Sequence, residues 1–257
     1  MPAVSDSRAP SSAPRPPQAD RAAGVSWFDI RAVTLSPADL ADLDVRETAR
    51  AAAFVFPADR HRYQVAHVML RRVLAGRLGS EPGRLVFARE PCPTCGGPSG
   101  KPVLASQDAP VPAFSLAHSG DVVAIAVAGR PVGVDVEREA SGCVCSLVTA
   151  MHPSDAAVVE PLPEPERHAA IIRWWVRAEA VLKCAGTGIG HGLDAFPVLG
   201  GPALDKVSPV ARPLHVPGWA SAAGCSFASL SAPKGYQAAI ALPGLKLIRY
   251  RWNAARS

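Results

Sequence analysis

Residues 121–137 read D-V-V-A-I-A-V-A-G-R-P-V-G-V-D-V-E. Two short runs of branched and small apolar residues flank Gly129-Arg130-Pro131. Runs of this length and branching are strand material, and Gly and Pro together punctuate them as a turn. The stretch therefore predicts two strands, 121–128 and 132–137, joined as a hairpin. In the second run Asp135 and Glu137 are two residues apart, so they project from one face while Val134 and Val136 project from the other.

Working outward, residues 25–35 have strand composition, and Ser36-Pro37-Ala38-Asp39 is a helix-start signal. Residues 43–77 read as mostly helical, with Val65, Val68, Met69 and Val73 on one stripe. A Cys/Gly/Pro loop follows over 90–102. Downstream, 139–165 is broken by Gly and Pro and reads as a flap. Residues 169–185 predict a strong helix with Ile172, Trp175, Val176, Ala180 and Leu182 suited to burial, closed by Gly186-Thr187-Gly188. Further strands are expected at 196–199, 222–230 and 236–242. Helix then strands occurs twice, an α+β order of two halves meeting near 129–132, with no sequence repeat between them.

The chain has 257 residues, 48% of them hydrophobic and 19% charged, which excludes a wholly disordered protein. No apolar run approaches the ~18 residues of a membrane span. The first 24 residues hold five Pro among Ala, Ser and Arg; they read as a disordered tail without the apolar core of a secretory signal. The net charge of +5 is mild and lacks the dense basic clustering of a nucleic-acid binder. Six Cys in a chain of this length, without such a signal, point to a reduced, cytoplasmic protein.

Several residues carry candidate chemistry. Asp135 and Glu137, aimed at one point, suit a hard cation such as Mg²⁺, or else form the solvated face of a strand. Glu179 and Lys183 are i,i+4 on the 169–185 helix: an ordinary surface pair, or a third metal carboxylate and a phosphate-binding lysine. His118, in Phe114-Ser-Leu-Ala-His118-Ser119-Gly120, suits donation to a phosphate oxygen, with a structural role as the alternative. No G-x-S-x-G elbow supports a serine nucleophile, and no G-x-x-x-x-G-K-[ST] loop supports an NTPase. Cys92-Pro-Thr-Cys95 is half of a zinc knuckle whose nearest second pair, Cys143-x-Cys145, is poorly spaced, so a reduced turn without zinc is expected. Arg46, Arg50 and Arg62 lie on the first helical region, with Lys101 in the loop beyond it.

Taken together, G-V-D-V-E at 133–137, W-x-x-x-E-A-x-x-K at 175–183, S-L-A-H-S-G at 115–120 and G-K-P at 100–102 resemble the 4′-phosphopantetheinyl transferases of the Sfp type, Trp-containing subgroup. The resemblance implies an α+β pseudo-dimer: two similar lobes, each a small, mostly antiparallel sheet packed on helices, with the active site in the cleft between them. It sets the boundaries at 1–24 (disordered tail), 25–130 (N-terminal lobe), 131–245 (C-terminal lobe) and 246–257 (C-terminal tail). It implies Mg²⁺ on Asp135, Glu137 and Glu179, with Lys183 and His118 on the coenzyme A phosphates. Arg46, Arg50 and Arg62 fall to the 3′-phosphate and Lys101 to the adenine side. Asp155 resembles an acidic flap residue that some members bring near the metal.

The implied reaction moves 4′-phosphopantetheine from coenzyme A to a serine of an apo acyl or peptidyl carrier protein and releases 3′,5′-ADP, with Glu179 as first candidate for the base. The implied partners are the carrier and coenzyme A, with no nucleic acid and no membrane, and the implied state is a monomer. Two positions depart from the family pattern. Ala178 stands where a lysine usually precedes the metal glutamate, and Ala117 where a serine usually precedes the histidine. The competing readings are another Mg²⁺-dependent enzyme acting on a nucleotide diphosphate, and a non-catalytic module binding coenzyme A or a carrier protein.

Overall fold

The structure is a computed structural model, and it describes residues 23–93, 95–98, 100–105, 111–139, 144–189, 192–199, 225–244 and 248–252. The tail expected over 1–24 lies almost wholly outside the described residues, as does Cys143. The described chain is a mixture of helices and two largely antiparallel sheets, the α+β class expected.

Strand β1 (Ala23–Asp29) leads to two short helices, α1 (Pro37–Ala41) and α2 (Val45–Ala52), and the long α3 (Pro57–Leu78). Ser36 caps α1 and Asp44 caps α2, each in a reciprocal capping box that satisfies the free N–H groups of the first turn. Strands β2 (Phe87–Arg89) and β3 (Pro102–Leu104) pair as a small ribbon. Then come β4 (Ala113–Ser119), β5 (Val122–Ala128) and β6 (Gly133–Arg138). The flap region holds α4 (Pro153–Val159), and α5 (Glu166–Ala185) follows. The described chain closes with β7 (Cys225–Ser229), β8 (Tyr236–Pro243) and β9 (Ile248–Trp252).

One sheet has the order β4-β5-β1-β9 and the other β6-β8-β7. The expected hairpin at 121–137 is therefore overturned. β5 pairs with β1 and β4, and β6 pairs with β8, so Gly129-Arg130-Pro131 carries the chain from one sheet to the other. The true hairpin is β4–β5, whose two-residue turn uses Gly120 at φ +52°. The stretch expected as a tail, 246–257, contains β9, which pairs in parallel with β1. The expected strand at 196–199 is instead a loop; its backbone N–H groups at Val198 and Leu199 donate to the carboxylate of Asp155, 2.7 and 2.9 Å away.

Period-two alternation builds the layers. Val123, Ile125 and Val127 of β5 face Val65, Val68, Leu74 and other residues of α3. Ala124, Ala126 and Ala128 turn the other way, toward Val134, Val136, Ala238, Ile240 and Leu242 of the second sheet. The far face of that sheet, Phe227, Ala239 and Ala241, packs on Ile171, Val181 and Leu182 of α5. The order is helix, sheet, sheet, helix. Gly133 permits the closest part of the last contact, since an added Cβ would overlap the Ala180 carbonyl and stand 2.5 Å from Cys184 N. In α5 the fully buried tryptophan is Trp174, while Trp175, expected inside, is only partly buried. Among the described residues no helix is long and apolar enough to cross a membrane.

Candidate functional site

Because Val134 and Val136 face the other sheet, Asp135 and Glu137 necessarily face α5. On that helix Glu179 and Lys183 are one turn apart. The ion pair that forms is not the i,i+4 pair within the helix. Lys183 Nζ reaches across to Asp135 Oδ1 at 2.6 Å, and Asp135 is 4% exposed. Asp135 Oδ2 is buried with no hydrogen-bond partner among the described residues. Burial pushes the Asp135 pKa up to about 7, against the pull of Lys183, and the charges of Glu179 and Glu137 push the same way. Burial also raises Glu179, opposed by Lys183 and assisted by Glu137. The three carboxylates thus act on one another's charge, with Lys183 paired to the buried Asp135.

Among the described residues no three His, Cys, Asp or Glu side chains already stand as a metal cluster. Asp135 is turned onto Lys183, and Glu137 accepts a hydrogen bond from Ser119 Oγ at 2.6 Å. The donor set nevertheless fits a hard divalent cation. It offers carboxylate oxygens from two facing elements, one of them a buried orphan, in a place where more positive charge is needed.

Lys183 also lines a cavity of about 620 Å³, together with Arg46 and Arg50 of α2, Arg89 of β2 and Lys101. Tyr63 and His67 of α3 form another part of its wall, their rings stacked 4.1 Å apart. The basic residues make this cavity suited to an extended polyanion, and the rings offer a flat apolar surface. Behind the wall, Arg71 is fully buried and holds Glu47 (2.7 Å) and Asp44 (3.2 Å) while donating to the carbonyls of Pro82 and Leu85. Burial alone would raise Glu47, but hydrogen bonds from His67, Arg71 and the Asp44 N–H together hold its pKa below the ordinary value. Lys101 Nζ donates to the Val132 carbonyl at 2.7 Å, and burial depresses its pKa.

Two expected site residues are placed differently. Arg62 is turned away from this cavity: it donates to the Gly120 carbonyl at 2.7 Å, pairs with Asp59 at 2.6 Å, and lines a separate hollow with His61 and Asp121. It holds the turn that follows His118. Asp155 is fully buried with both oxygens taken by the backbone of Val198 and Leu199, so it staples a loop. His118, near the end of β4, is open to solvent, but desolvation around its ring, then Arg62 and Lys183, hold its pKa down. Cys92 and Cys95 sit in a turn closed by Cys92 N–H to Gly97 O and Gly96 N–H to Cys92 O, both 2.7 Å.

Sequence reasoning missed Arg89, Tyr63 and His67. The last two are i,i+4 on α3, on the same face as Leu70, and that spacing is the available signal.

Residues 131–207 match the family model described as the 4′-phosphopantetheinyl transferase superfamily. Among curated proteins, the chain is 33% identical over 153 residues to the 4′-phosphopantetheinyl transferase HetI of Nostoc sp. strain PCC 7120, covering 58% of this chain and 62% of that protein. It is 28% identical over 160 residues to the 4′-phosphopantetheinyl transferase psf-1 of Bacillus pumilus, covering 58% and 60%. It is 23% identical over 159 residues to a 4′-phosphopantetheinyl transferase of Bacillus subtilis, covering 62% and 67%. The match spans about three fifths of the length of the first two relatives.

Proposed function

We propose that this chain, whose residues 131–207 match the family model of the 4′-phosphopantetheinyl transferase superfamily, transfers the phosphopantetheine arm of coenzyme A to a serine hydroxyl of an apo acyl or peptidyl carrier protein. The observation that carries the reading is the Lys183–Asp135 pair, set among Glu137 and Glu179 and continuous through Lys183 with the basic cavity of Arg46, Arg50, Arg89 and Lys101. That is a place for a pyrophosphate next to a place for a cation. In this reading the chain is a monomer of the Sfp type, acting in the cytoplasm. Its two lobes, 25–130 and 131–245, are the halves of a pseudo-dimer, and coenzyme A lies in the cleft between them.

Asp135, Glu137 and Glu179 would hold Mg²⁺, which would supply positive charge to the pyrophosphate oxygens. Arg46 and Arg50 take the 3′-phosphate. Lys183 would offer its ammonium to the pyrophosphate, where negative charge grows as the bond breaks. His118 donates to a phosphate oxygen, and Lys101 supports the adenine side by fixing the loop against Val132. The carrier's serine oxygen forms a bond to the phosphorus bearing the pantetheine arm. The P–O bond to the other phosphate breaks, and 3′,5′-ADP leaves. The serine proton passes to Glu179, the first candidate for the base. The net charge of +5 favours encounter with acidic carrier proteins, most strongly at low salt.

The test is to incubate the protein with coenzyme A, Mg²⁺ and several apo carrier proteins and to weigh the carriers. A gain of ~340 Da on the carrier serine is expected for a transferred arm. No gain on any carrier, with coenzyme A still bound, would make the chain a non-catalytic binding module.

A further inference from the structure

Among the described residues β4 and β6 are edge strands of different sheets, and each has one side on which no main-chain ladder forms. Two serine hydroxyls bridge the seam. Ser115 Oγ accepts the Val134 N–H at 3.0 Å, and Ser119 Oγ accepts the Arg138 N–H at 3.1 Å. Each bond spans 19 residues, so the rungs hold the two strands in one parallel register. His118 lies between the rungs on β4, and Asp135 and Glu137 between them on β6. The rungs therefore fix which residues of the two sheets meet at the candidate site.

Ser119 has a second bond. A hydroxyl offers one proton and two acceptor sites. With the Arg138 N–H on a lone pair, the proton goes to Glu137 Oε2, 2.6 Å away. Glu137 is partly exposed and has three side-chain torsions, which are costly to order one by one. We propose that Ser119 is a positioning residue that fixes the Glu137 carboxylate for divalent-cation binding, so that the strand register and the ligand orientation are set by one hydroxyl. This rests on the function proposed above, in which Glu137 is a ligand. Residues that orient metal ligands through hydrogen bonds have marked effects on affinity.

The experiment measures Mn²⁺ binding by electron paramagnetic resonance, with coenzyme A present and no carrier, alongside transfer rate and Tm. The variants are Ser119→Ala, Ser119→Thr and Ser115→Ala. Both alanine changes leave one strand-edge N–H without its serine, and both should lower Tm. Only Ser119→Ala releases the carboxylate, so it alone should weaken Mn²⁺ binding, by roughly 10- to 100-fold. Ser119→Thr, which keeps the hydroxyl, should restore most of the affinity. The proposal is overturned if Ser119→Ala binds Mn²⁺ as the wild type does, or if Ser115→Ala weakens it equally. Should Ser119→Ala fail to fold, Ser119→Cys replaces it with the same expected ranking, since a thiol is a weak donor. A wild type that neither binds Mn²⁺ nor transfers the arm would instead remove the functional reading, whereas a transferring wild type with an unaffected Ser119→Ala removes the serine inference alone.

Discussion

Replacing Asp135 with Asn should make the metal-free protein more stable while abolishing the proposed transfer. The carboxylate is 4% exposed, its Oδ2 has no partner among the described residues, and burial raises its pKa to about 7 even with Lys183 alongside. An unfolded aspartate titrates near 3.8. The folded state thus holds a proton more tightly than the unfolded state does, and stability falls as pH rises from 3.8 toward 7, then levels off. A shift of about three pKa units corresponds to about 4 kcal/mol at pH 8. Asparagine removes that penalty but buries an amide in its place, which takes back about 1–3 kcal/mol if its donors stay unpaired. A net gain of about 1–3 kcal/mol at pH 8 is expected, shrinking toward zero or reversing near pH 4. The assay is urea unfolding in EDTA at both pH values, repeated with Mg²⁺. Added Mg²⁺ should stabilise the wild type and not the variant, by linkage to the folded state. A variant less stable than wild type at pH 8, by an amount that does not change with pH, would refute the claim that these carboxylates are held in mutual conflict.

Gly133→Ala should prevent α5 from seating on β6, because the new Cβ meets the backbone at Ala180 and Cys184; a loss of about 3 kcal/mol or failure to fold is expected in thermal melts. Steady-state kinetics should separate Glu179→Gln from Lys183→Ala. The first lowers kcat by roughly 100-fold or more at saturating coenzyme A, and the second raises KM for coenzyme A as well as lowering kcat; unchanged constants in both would reduce the pair to a structural contact. Glu47→Gln should cost about 3–5 kcal/mol at pH 7 by leaving the fully buried Arg71 without its nearest carboxylate. Since the Glu47 pKa is lowered on folding, its contribution is present above about pH 4.5 and is lost as pH falls below that, so the difference in urea midpoint between wild type and variant should narrow in acid.

The fold was legible where side-chain period alone decides the outcome. The alternation in 133–137 placed Asp135 and Glu137 on one face, and the run ending in Gly186 gave a helix whose observed cap is that glycine in the left-handed region. It was illegible where partner choice depends on distant chain. Nothing local to 121–137 distinguishes a hairpin from a crossover: both need two strands and a Gly/Pro turn, and the decision lies with β1 and β8, which supply the competing ladders. The strand near the end of the chain was hidden for the same reason, since β9 is defined by a parallel pairing with the first strand described.

The site divides along a similar line. Residue types and spacings pointed to the carboxylates and the lysine, but spacing on a helix suggested that Lys183 would pair with Glu179, and it does not. Asp135 is buried on the strand that faces α5, and Lys183 pairs with it across the gap between strand and helix. The basic residues divide by their second partners. Arg62 and Lys101 are both occupied by backbone carbonyls, at Gly120 and Val132, so their charge acts through the segments they hold. Arg46 and Arg50 stand on a short helix whose caps and buried Glu47 anchor it from behind, which leaves their side of the helix to the cavity. A sequence lists the cations; only the packing tells which of them have another carbonyl to answer to, and this distinction separates residues that would grip a phosphate from those that shape the place where it would bind.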